Sequence, residues 1–343
     1  MHQIGLIGTG YWGPNIVRSL EATGRAKIIW LCDLDTERVQ GLGSRYPDAT
    51  TTTDFNDLLN DPHLRAVAIS TPTVTHFDLA RAALLAGKDV LVEKPITFDS
   101  EEARQLTRIA REKKRVLMVG HVFQYNATIR YLKELIHSGE LGDIHYLNLK
   151  RTNLGPVRTD VNALWDLASH DVSIIIDLLG RVPKEVTARG QAYLNPDIED
   201  VVFANYTFED GTMAHIHASW LNPRKIRQIT VVGSRKMVLW DDMDIHSPLR
   251  IFDKRVDQPP VGQIEGTFLE HKTWVVDGGV FIPNVRTNQP LLAECNHFLD
   301  CLDSGKTPES DGENGLQVVE ALEAAASSMQ NNSALTPVQT IAP

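Results

Sequence analysis

The sequence predicts an α/β protein. It starts with a doubly wound parallel sheet and continues into an α/β domain built on a large, mostly antiparallel sheet. Three observations carry this. Over residues 1–120 short apolar runs alternate with amphipathic stretches; beyond 121, strand-like runs follow one another through short turns. The chain has 343 residues, more than one ordinary core organises and suited to two domains.

In the first part, Gln3–Ile7, Ile28–Asp33, Ala66–Thr71, Val90–Glu93 and Val116–Gly120 read as buried strands. Segments near 14–22, 35–46, 54–60, 75–86 and 99–113 read as helices. Strict alternation of the two implies a parallel sheet covered on both faces. The Thr-rich stretch at 50–53 predicts a short extra strand. After residue 121 a helix over 126–138 ends at Ser138-Gly139, and a strand follows at Ile144–Thr152. A helix over 163–179 ends at Gly180, a glycine suited to the left-handed residue after a helix. Strands are expected at Glu185–Tyr193, Val201–Phe208, Thr212–Trp220, Ile226–Val232 and Met237–Trp240. Glu209-Asp210-Gly211 forms a hairpin turn between two of them. Residues 253–286 read as an irregular excursion, and helices near 290–304 and 314–330 close the chain. The expected domains are 1–120 and 121–343, with the terminal helices able to pack back on the first.

Hydrophobic residues make up 42% and charged residues 23%, the balance of a soluble globular protein. A net charge of -10 argues against binding nucleic acid through bulk charge. Cys32, Cys295 and Cys301 have neither zinc-site nor disulfide spacing and read as reduced, buried thiols. The N-terminus shows no secretory pattern, and no apolar run approaches the ~18 residues of a membrane helix. A cytoplasmic protein with no membrane partner and no metal is expected.

Gly8-Thr9-Gly10-Tyr11-Trp12-Gly13 is a G-x-G-x-x-G after a strand and at the start of a helix. Gly8 permits the tight turn, Gly10 leaves room for a pyrophosphate, and Gly13 lets helix and strand approach closely. The loop backbone, through Tyr11 and Trp12, leads into a helix N-terminus that offers free N–H groups to phosphates. In this context the motif marks a Rossmann dinucleotide site. Asp33 ends the second strand, 20 residues after Gly13. A carboxylate there accepts from the ribose 2′-OH and repels a 2′-phosphate, which favours NAD over NADP. Arg38, one turn into the next helix, would soften that preference. The competing reading of Asp33, like Asp35, is helix capping.

Three further segments occur in order: Ser70-Thr71-Pro72 with Thr75-His76, Glu93-Lys94-Pro95, and Asp166-Leu167-Ala168-Ser169-His170. Together with the glycine loop they resemble the Gfo/Idh/MocA oxidoreductase family over residues 1 to about 180. The resemblance implies that Ser70, Thr71, Pro72 and His76 lie over the nicotinamide side of NAD, with Glu93, Lys94 and Gln124 also at the cofactor. It implies that Lys94, Asp166 and His170 are catalytic. The stretch from Arg158 through Asn162 to His170, and the segment His121 to Asn126, are similar to the family's nucleotide-sugar 3-dehydrogenases. That similarity implies substrate contacts from Lys94, Tyr125, Arg158, Asn162 and His170. Tyr125 and Gln124 also fit a simpler role, capping the following helix.

Oxidation of a secondary alcohol sends a hydride to nicotinamide and a proton to the protein. Asp166 and His170 are i and i+4, so an α-helix puts them on one face, with Asn162 at its start. His170 accepts a proton near neutral pH. Asp166 orients it or stabilises a lysine cation. Lys94 sits where a parallel strand ends, the side on which open α/β sheets bind ligands. It polarises the hydroxyl or, with a depressed pKa, takes the proton itself. We favour His170 as base and leave the division open. Out of context, a strand-end lysine is a solvated loop residue and a D-x-x-x-H pair a surface helix pair.

The planar fork of Arg158 suits a substrate carboxylate or diphosphate; Lys150 and Arg151 are further candidates. Trp165 reads as core or interface. His215 and His217 share a strand face without the further ligands a metal needs. Phe203, Tyr206, Ile216, Trp220 and Val231 are expected on a sheet face that a second copy covers, giving a homodimer or homotetramer. The expected activity is NAD(H)-dependent oxidation or reduction at C3 of a nucleotide-linked amino sugar or uronate. A dehydrogenase of free sugars, inositols or anhydro-sugars is the alternative, and a non-catalytic dinucleotide sensor a third reading.

Overall fold

The computed structural model describes residues 1–257 and 274–339. The chain opens with β1 (His2–Ile7), α1 (Gly13–Ala22), β2 (Ala26–Cys32), α2 (Thr36–Gly43), β3 (Thr50–Thr52) and α3 (Phe55–Asn60). It continues with β4 (Ala66–Ile69), α4 (His76–Leu85), β5 (Asp89–Glu93), α5 (Ser100–Lys113) and β6 (Leu117–Gly120). Next come α6 (Ala127–His137), β7 (Ile144–Leu154), α7 (Ser169–Leu179), β8 (Glu185–Gln191), β9 (Val201–Thr207) and β10 (Met213–Ser219). Then β11 (Leu221–Gly233), β12 (Met237–Asp241), β13 (Leu249–Asp257) and β14 (Trp274–Phe281) lead to α8 (Pro290–Ser304), α9 (Gly312–Gln330) and β15 (Thr336–Pro337). Among the described residues no helix is long and apolar enough to cross a membrane.

Two compact units result. The first holds Met1–Asn126 and Asn288–Glu323, so α8 and most of α9 belong to it; the second holds Ala127–Thr287 and Ala324–Val338. The change of unit falls at Asn126, beyond the change of rhythm at residue 120, because a short turn at Val122–Tyr125 still belongs with β6.

The first unit is a parallel sheet in the order β3-β2-β1-β4-β5-β6. Helices on both faces explain why β4 and β6 are buried at every residue and read as unbroken apolar runs. Ile4, Leu6, Leu31 and Ala68 pack with Ile16, Val17 and Leu20 of α1 and with Phe298 and Leu299 of α8. Side-chain caps set helix starts: Asp35 accepts from the Glu37 and Arg38 amides, and Asp99 from that of Glu102. The threonine stretch forms the edge strand β3, as expected.

The second unit is a nine-stranded sheet in the order β14-β13-β12-β11-β7-β10-β9-β8-β15. Only β7 and β10 pair in parallel; the other neighbours are antiparallel. Leu147, Leu149, Tyr206, Ile216, Val231 and Trp240 line one buried face. The indole of Trp240 donates to Thr128 Oγ1 of α6 at 2.7 Å, so this is the helix-covered face. Two expectations need correction. Of the residues assigned to the open face, Tyr206, Ile216, Trp220 and Val231 are buried, and only Phe203 is exposed. Strand alternation explains this: Phe203 and Tyr206 are three apart in β9 and must project to opposite faces. Phe203 instead stacks on His217 at 4.4 Å. The excursion at 253–286 contains paired strands, β13 and β14. Gly278 and Gly279 and an exposed edge position hide β14 from a pattern search. Residues 258–273 of that excursion lie outside the described residues.

Candidate active site

In the first unit, the glycines obey geometry. Gly8 has φ +98°, and a Cβ on it would lie 2.7 Å from the Ser70 carbonyl carbon. A Cβ on Gly13 would lie 2.2 Å from the Gly8 oxygen. Gly10 meets nothing within 4 Å, which leaves the approach to the loop open. The Ser70 hydroxyl donates to the Gly8 carbonyl at 2.7 Å and ties its own loop to the glycine loop. Helix α1 starts without a side-chain cap or a first-turn acid, so its positive end is not neutralised, although Pro14 carries no N–H and the Asn15 and Ile16 amides donate to the Trp12 carbonyl. Tyr11 is 93% exposed and reaches toward solvent. Residues around an open, uncapped helix start fit a dinucleotide phosphate.

Asp33 stands beside this loop. Its carboxylate accepts from the Thr9 amide at 2.6 Å, the Thr9 hydroxyl at 2.9 Å and the Asp35 amide at 3.0 Å. Burial opposes its charge, but the hydrogen bonds from Asp35 and Thr9 win and hold the carboxyl below its usual value. It is therefore ionised. The capping role belongs to Asp35, which also pairs with Arg38 at 3.0 Å.

His76 does something other than expected. Its ring nitrogens lie 2.9 Å from the Thr71 and Pro95 carbonyls, and the side chain is buried. The imidazole clamps the loop after β4 to the loop after β5. It ties together the two loops expected on the cofactor side.

Lys94 follows β5, and its peptide with Pro95 is cis. Its amide donates to Glu93 Oε2 at 3.2 Å. The Glu93 carboxyl lies folded over Gly120, 3.1 Å from where a Cβ would be. Burial pushes Glu93 up to about 7 against the pull of Lys94. Two neighbours escaped the sequence reading as site residues. Glu294 of α8 is buried and held well above the carboxylate range by burial and by Glu93; its Oε2 has no hydrogen-bond partner among the described residues. His121 follows β6, whose Gly120 pairs with Glu93. It is buried, both ring nitrogens lack a hydrogen-bond partner among the described residues, and burial and Lys94 push it down to about 3. The signal for His121 was its place at a strand end beside Lys94; Glu294 had no local signal.

Gln124 and Tyr125, expected at the ligand, have partners within the first unit. Gln124 is buried and donates to Asn314 Oδ1 at 3.0 Å. The Tyr125 hydroxyl meets Ser310 Oγ at 2.9 Å inside the core, fully buried. Both side chains secure the start of α9 and the segment before it.

In the second unit, the expected helix over 163–179 is not uniform. Leu164–Ala168 forms a wide π-helical turn before α7 begins at Ser169. Such turns shift side chains off the α-helical face and are frequent at functional sites. Asp166 Oδ1 accepts from Arg158 Nη1 at 3.2 Å and Oδ2 from the Trp220 indole at 3.1 Å. Arg158 also grips Asp160 through Nε at 2.9 Å and Nη2 at 2.5 Å. Its fork is therefore already engaged by two carboxylates. Asn162 donates to Glu199 Oε2 at 2.7 Å and accepts from the Trp165 amide at 3.2 Å, so it caps the π-turn. The predicted substrate contacts Arg158 and Asn162 thus already have carboxylate partners, Asp160, Asp166 and Glu199. Arg151 is likewise spent, buried on Asp171 at 2.8 Å. Lys94 belongs to the first unit, and Asp166 and His170 belong to the second. No group of three metal-ligating side chains occurs among the described residues.

Known proteins agree with this layout. Residues 2–121 match "Oxidoreductase family, NAD-binding Rossmann fold" and residues 129–239 match "GFO/IDH/MocA C-terminal domain". The chain is an oxidoreductase-type protein with an NAD-binding Rossmann domain. It belongs to the Gfo/Idh/MocA family. It is 31% identical over 262 residues to the UDP-N-acetylglucosamine 3-dehydrogenase of Acidithiobacillus ferrooxidans, covering 75% of this chain and 76% of that one. The solved structure of that enzyme, GnnA, matches with TM-score 0.82 at 26% identity, over 96% of this chain and 98% of that one. The uncharacterised oxidoreductase YrbE of Bacillus subtilis is 28% identical over 225 residues, which are 63% of this chain and 66% of YrbE, just under two thirds. The NAD(+)-dependent scyllo-inositol 2-dehydrogenase of Bacillus subtilis is 26% identical over 320 residues, 89% of this chain and 86% of that one.

Proposed function

We propose that the protein is an NAD(H)-dependent dehydrogenase that moves a hydride between nicotinamide and a sugar secondary alcohol. The substrate we favour is C3 of a nucleotide-linked amino sugar or uronate. The observation that carries the reading is Lys94 at the carboxyl end of β5, in the same unit as an open glycine loop and an ionised Asp33. The similarity to a UDP-N-acetylglucosamine 3-dehydrogenase supports the choice of substrate.

Nicotinamide supplies the hydride acceptor. Lys94 donates a hydrogen bond to the alcohol oxygen and stabilises the developing alkoxide. His170 takes the hydroxyl proton. Asp166, fixed by Arg158 and the Trp220 indole, positions the turn that leads into α7, which carries His170. We assign NAD to the first unit and the sugar to the second. A single-turnover assay with NAD would follow reduced-nicotinamide absorbance with UDP-N-acetylglucosamine, its uronate, and free inositols. Reduction by a UDP-sugar supports the reading; reduction only by inositols overturns the substrate, and none at all overturns the enzyme.

One observation favours free polyols. Arg158 is held by Asp160 and Asp166, so a diphosphate or carboxylate would have to displace Asp160. The same substrate panel separates the two readings. We further propose a homo-oligomer built on the helix-free sheet face, where Phe203, Met213 and Tyr146 are exposed. Light scattering of Phe203→Glu is expected to show a smaller particle than wild type; a monomeric wild type rejects the assembly. Free thiols at Cys32, Cys295 and Cys301 suit a reducing compartment, the cytoplasm.

A further inference from the structure

The first unit contains a second concavity, remote from the glycine loop. Dinucleotide sites use the carboxyl ends of parallel strands. This cleft, of about 370 Å³, lies instead at their amino ends, where Arg65 precedes β4, Asp89 opens β5 and Val116 precedes β6. Its remaining walls come from the exit of α5 and the segment between α8 and α9. The volume suits a small metabolite.

The chain carries a net charge of -10, yet this wall is cationic. Arg65, Arg111, Lys114, Arg115 and Lys306 line it, against Asp89 and Asp311. Both acids are already spent. Asp89 is buried; its Oδ2 lies 2.9 Å from Arg65 Nε and 4.0 Å from Arg115 Nη1, and its Oδ1 accepts from the Val116 amide at 2.8 Å. One buried carboxylate thus forms an ion pair with Arg65 and lies at the edge of ion-pair distance from Arg115. Asp311 accepts from the Asn314 amide at 2.9 Å and caps the start of α9. Arg111, Lys114 and Lys306 form no ion pair among the described residues.

The plain explanation is that these cations offset helix ends. Helices α5 and α8 do finish here, capped by Lys114 and Gly305. Each end carries roughly half a negative charge, so one cation would balance both. Three unpaired cations leave the cleft about two charges positive. Lys114 adds a second observation. It occupies a left-handed position, φ 52°, that favours glycine or asparagine, as Gly305 does at the end of α8. A lysine stands where the backbone geometry favours glycine.

We infer that this cleft is a second ligand site, separate from the dinucleotide site, for a small phosphate-bearing anion held by Arg111, Lys114, Lys306 and the two arginines beside Asp89. Planar guanidinium groups match phosphate oxygens in pairs. The site is independent of the substrate reading, since it uses no residue of the proposed mechanism.

The test is calorimetric titration of the intact protein, saturated with NAD so that the glycine loop is filled. Inorganic phosphate, pyrophosphate and malonate are the probes. One saturable site, tighter for pyrophosphate than for malonate, is expected. Arg111→Glu with Lys114→Glu should weaken it by about tenfold or more, whereas Lys113→Glu, in the same turn but outside the cleft, should change it less than about twofold. NAD affinity should be the same in all variants. Should the double variant fail to fold, Lys306→Gln gives a weaker loss in the same direction. No saturable binding, equal loss in the Lys113 variant, or preference for malonate overturns the proposal.

Discussion

The glycine-loop region and the segment from Arg158 to His170 carry equally suggestive motifs, yet they behave differently in the structure. At Gly8 and Gly13 the backbone leaves no room for a Cβ, so residue type follows from local geometry. From Arg158 to His170, residue roles are set by partners distant in sequence. Trp220 reaches Asp166 and Glu199 reaches Asn162. A motif defined by backbone sterics transfers from sequence to structure. One defined by side-chain chemistry does so only when every competing partner is known.

The largest expected effect tests whether both regions serve one reaction. Lys94→Ala and His170→Ala should each lower kcat by about 10²- to 10⁴-fold, the usual share of a positioned acid–base group. NADH affinity, measured by the fluorescence of the reduced nicotinamide, should change little. If Lys94→Ala alone is inactive, the proton acceptor lies in the first unit and the comparison between the regions collapses into one site.

Next comes steric closure of the glycine loop. A Cβ at residue 13 would sit 2.2 Å from a backbone oxygen that cannot move freely. Gly13→Ala should therefore destabilise the protein by about 1–3 kcal/mol, the range for overpacking, and weaken NAD binding. Gly10→Ala meets no protein atom, so its stability should stay within about 0.5 kcal/mol while NAD affinity falls. Urea unfolding beside NAD titration separates the two; equal destabilisation would contradict the steric account.

The same contrast explains what could be read in advance. The parallel sheet was legible because β4 and β6 are buried along their whole length and the caps Asp35 and Asp99 precede their helices. The place of Asp33 beside the glycine loop was legible from its spacing alone. His76, Gln124 and Tyr125 looked like ligand contacts, but their partners are the Pro95 carbonyl, Asn314 and Ser310, none deducible from a motif. The π-turn at Leu164–Ala168 breaks no propensity rule and so left no trace in the helical pattern. Glu294 was invisible because nothing near it in sequence marks it as the neighbour of Glu93.

A smaller effect sharpens the cofactor half. Asp33→Asn removes the charge that repels a 2′-phosphate while keeping an acceptor for Thr9. The ratio of NAD to NADP dissociation constants should move toward NADP by about tenfold, the scale of one charged contact at about 1.4 kcal/mol. An unchanged ratio would assign discrimination to Arg38 or to residues not yet considered.

The smallest effect concerns the pair that sequence could not reveal. Glu93 is raised from 4.5 to about 7 by burial. The folded protein therefore holds this proton more tightly than the unfolded chain. Its contribution to stability is full below about pH 4.5, declines as pH rises, and is lost above about 7. Glu93→Gln cannot titrate, so its stability should fall less between those limits than that of wild type. Urea midpoints at several pH values read the difference in slope. The comparison matters because Lys94 shares the site: a charged Glu93 favours the ammonium form of Lys94, whereas glutamine leaves that charge unopposed. A parallel alkaline shift of the kcat profile in wild type relative to Glu93→Gln would tie the buried acid to the lysine. Identical stability slopes would mean that Glu93 is ionised throughout, and that Glu294 alone carries the proton.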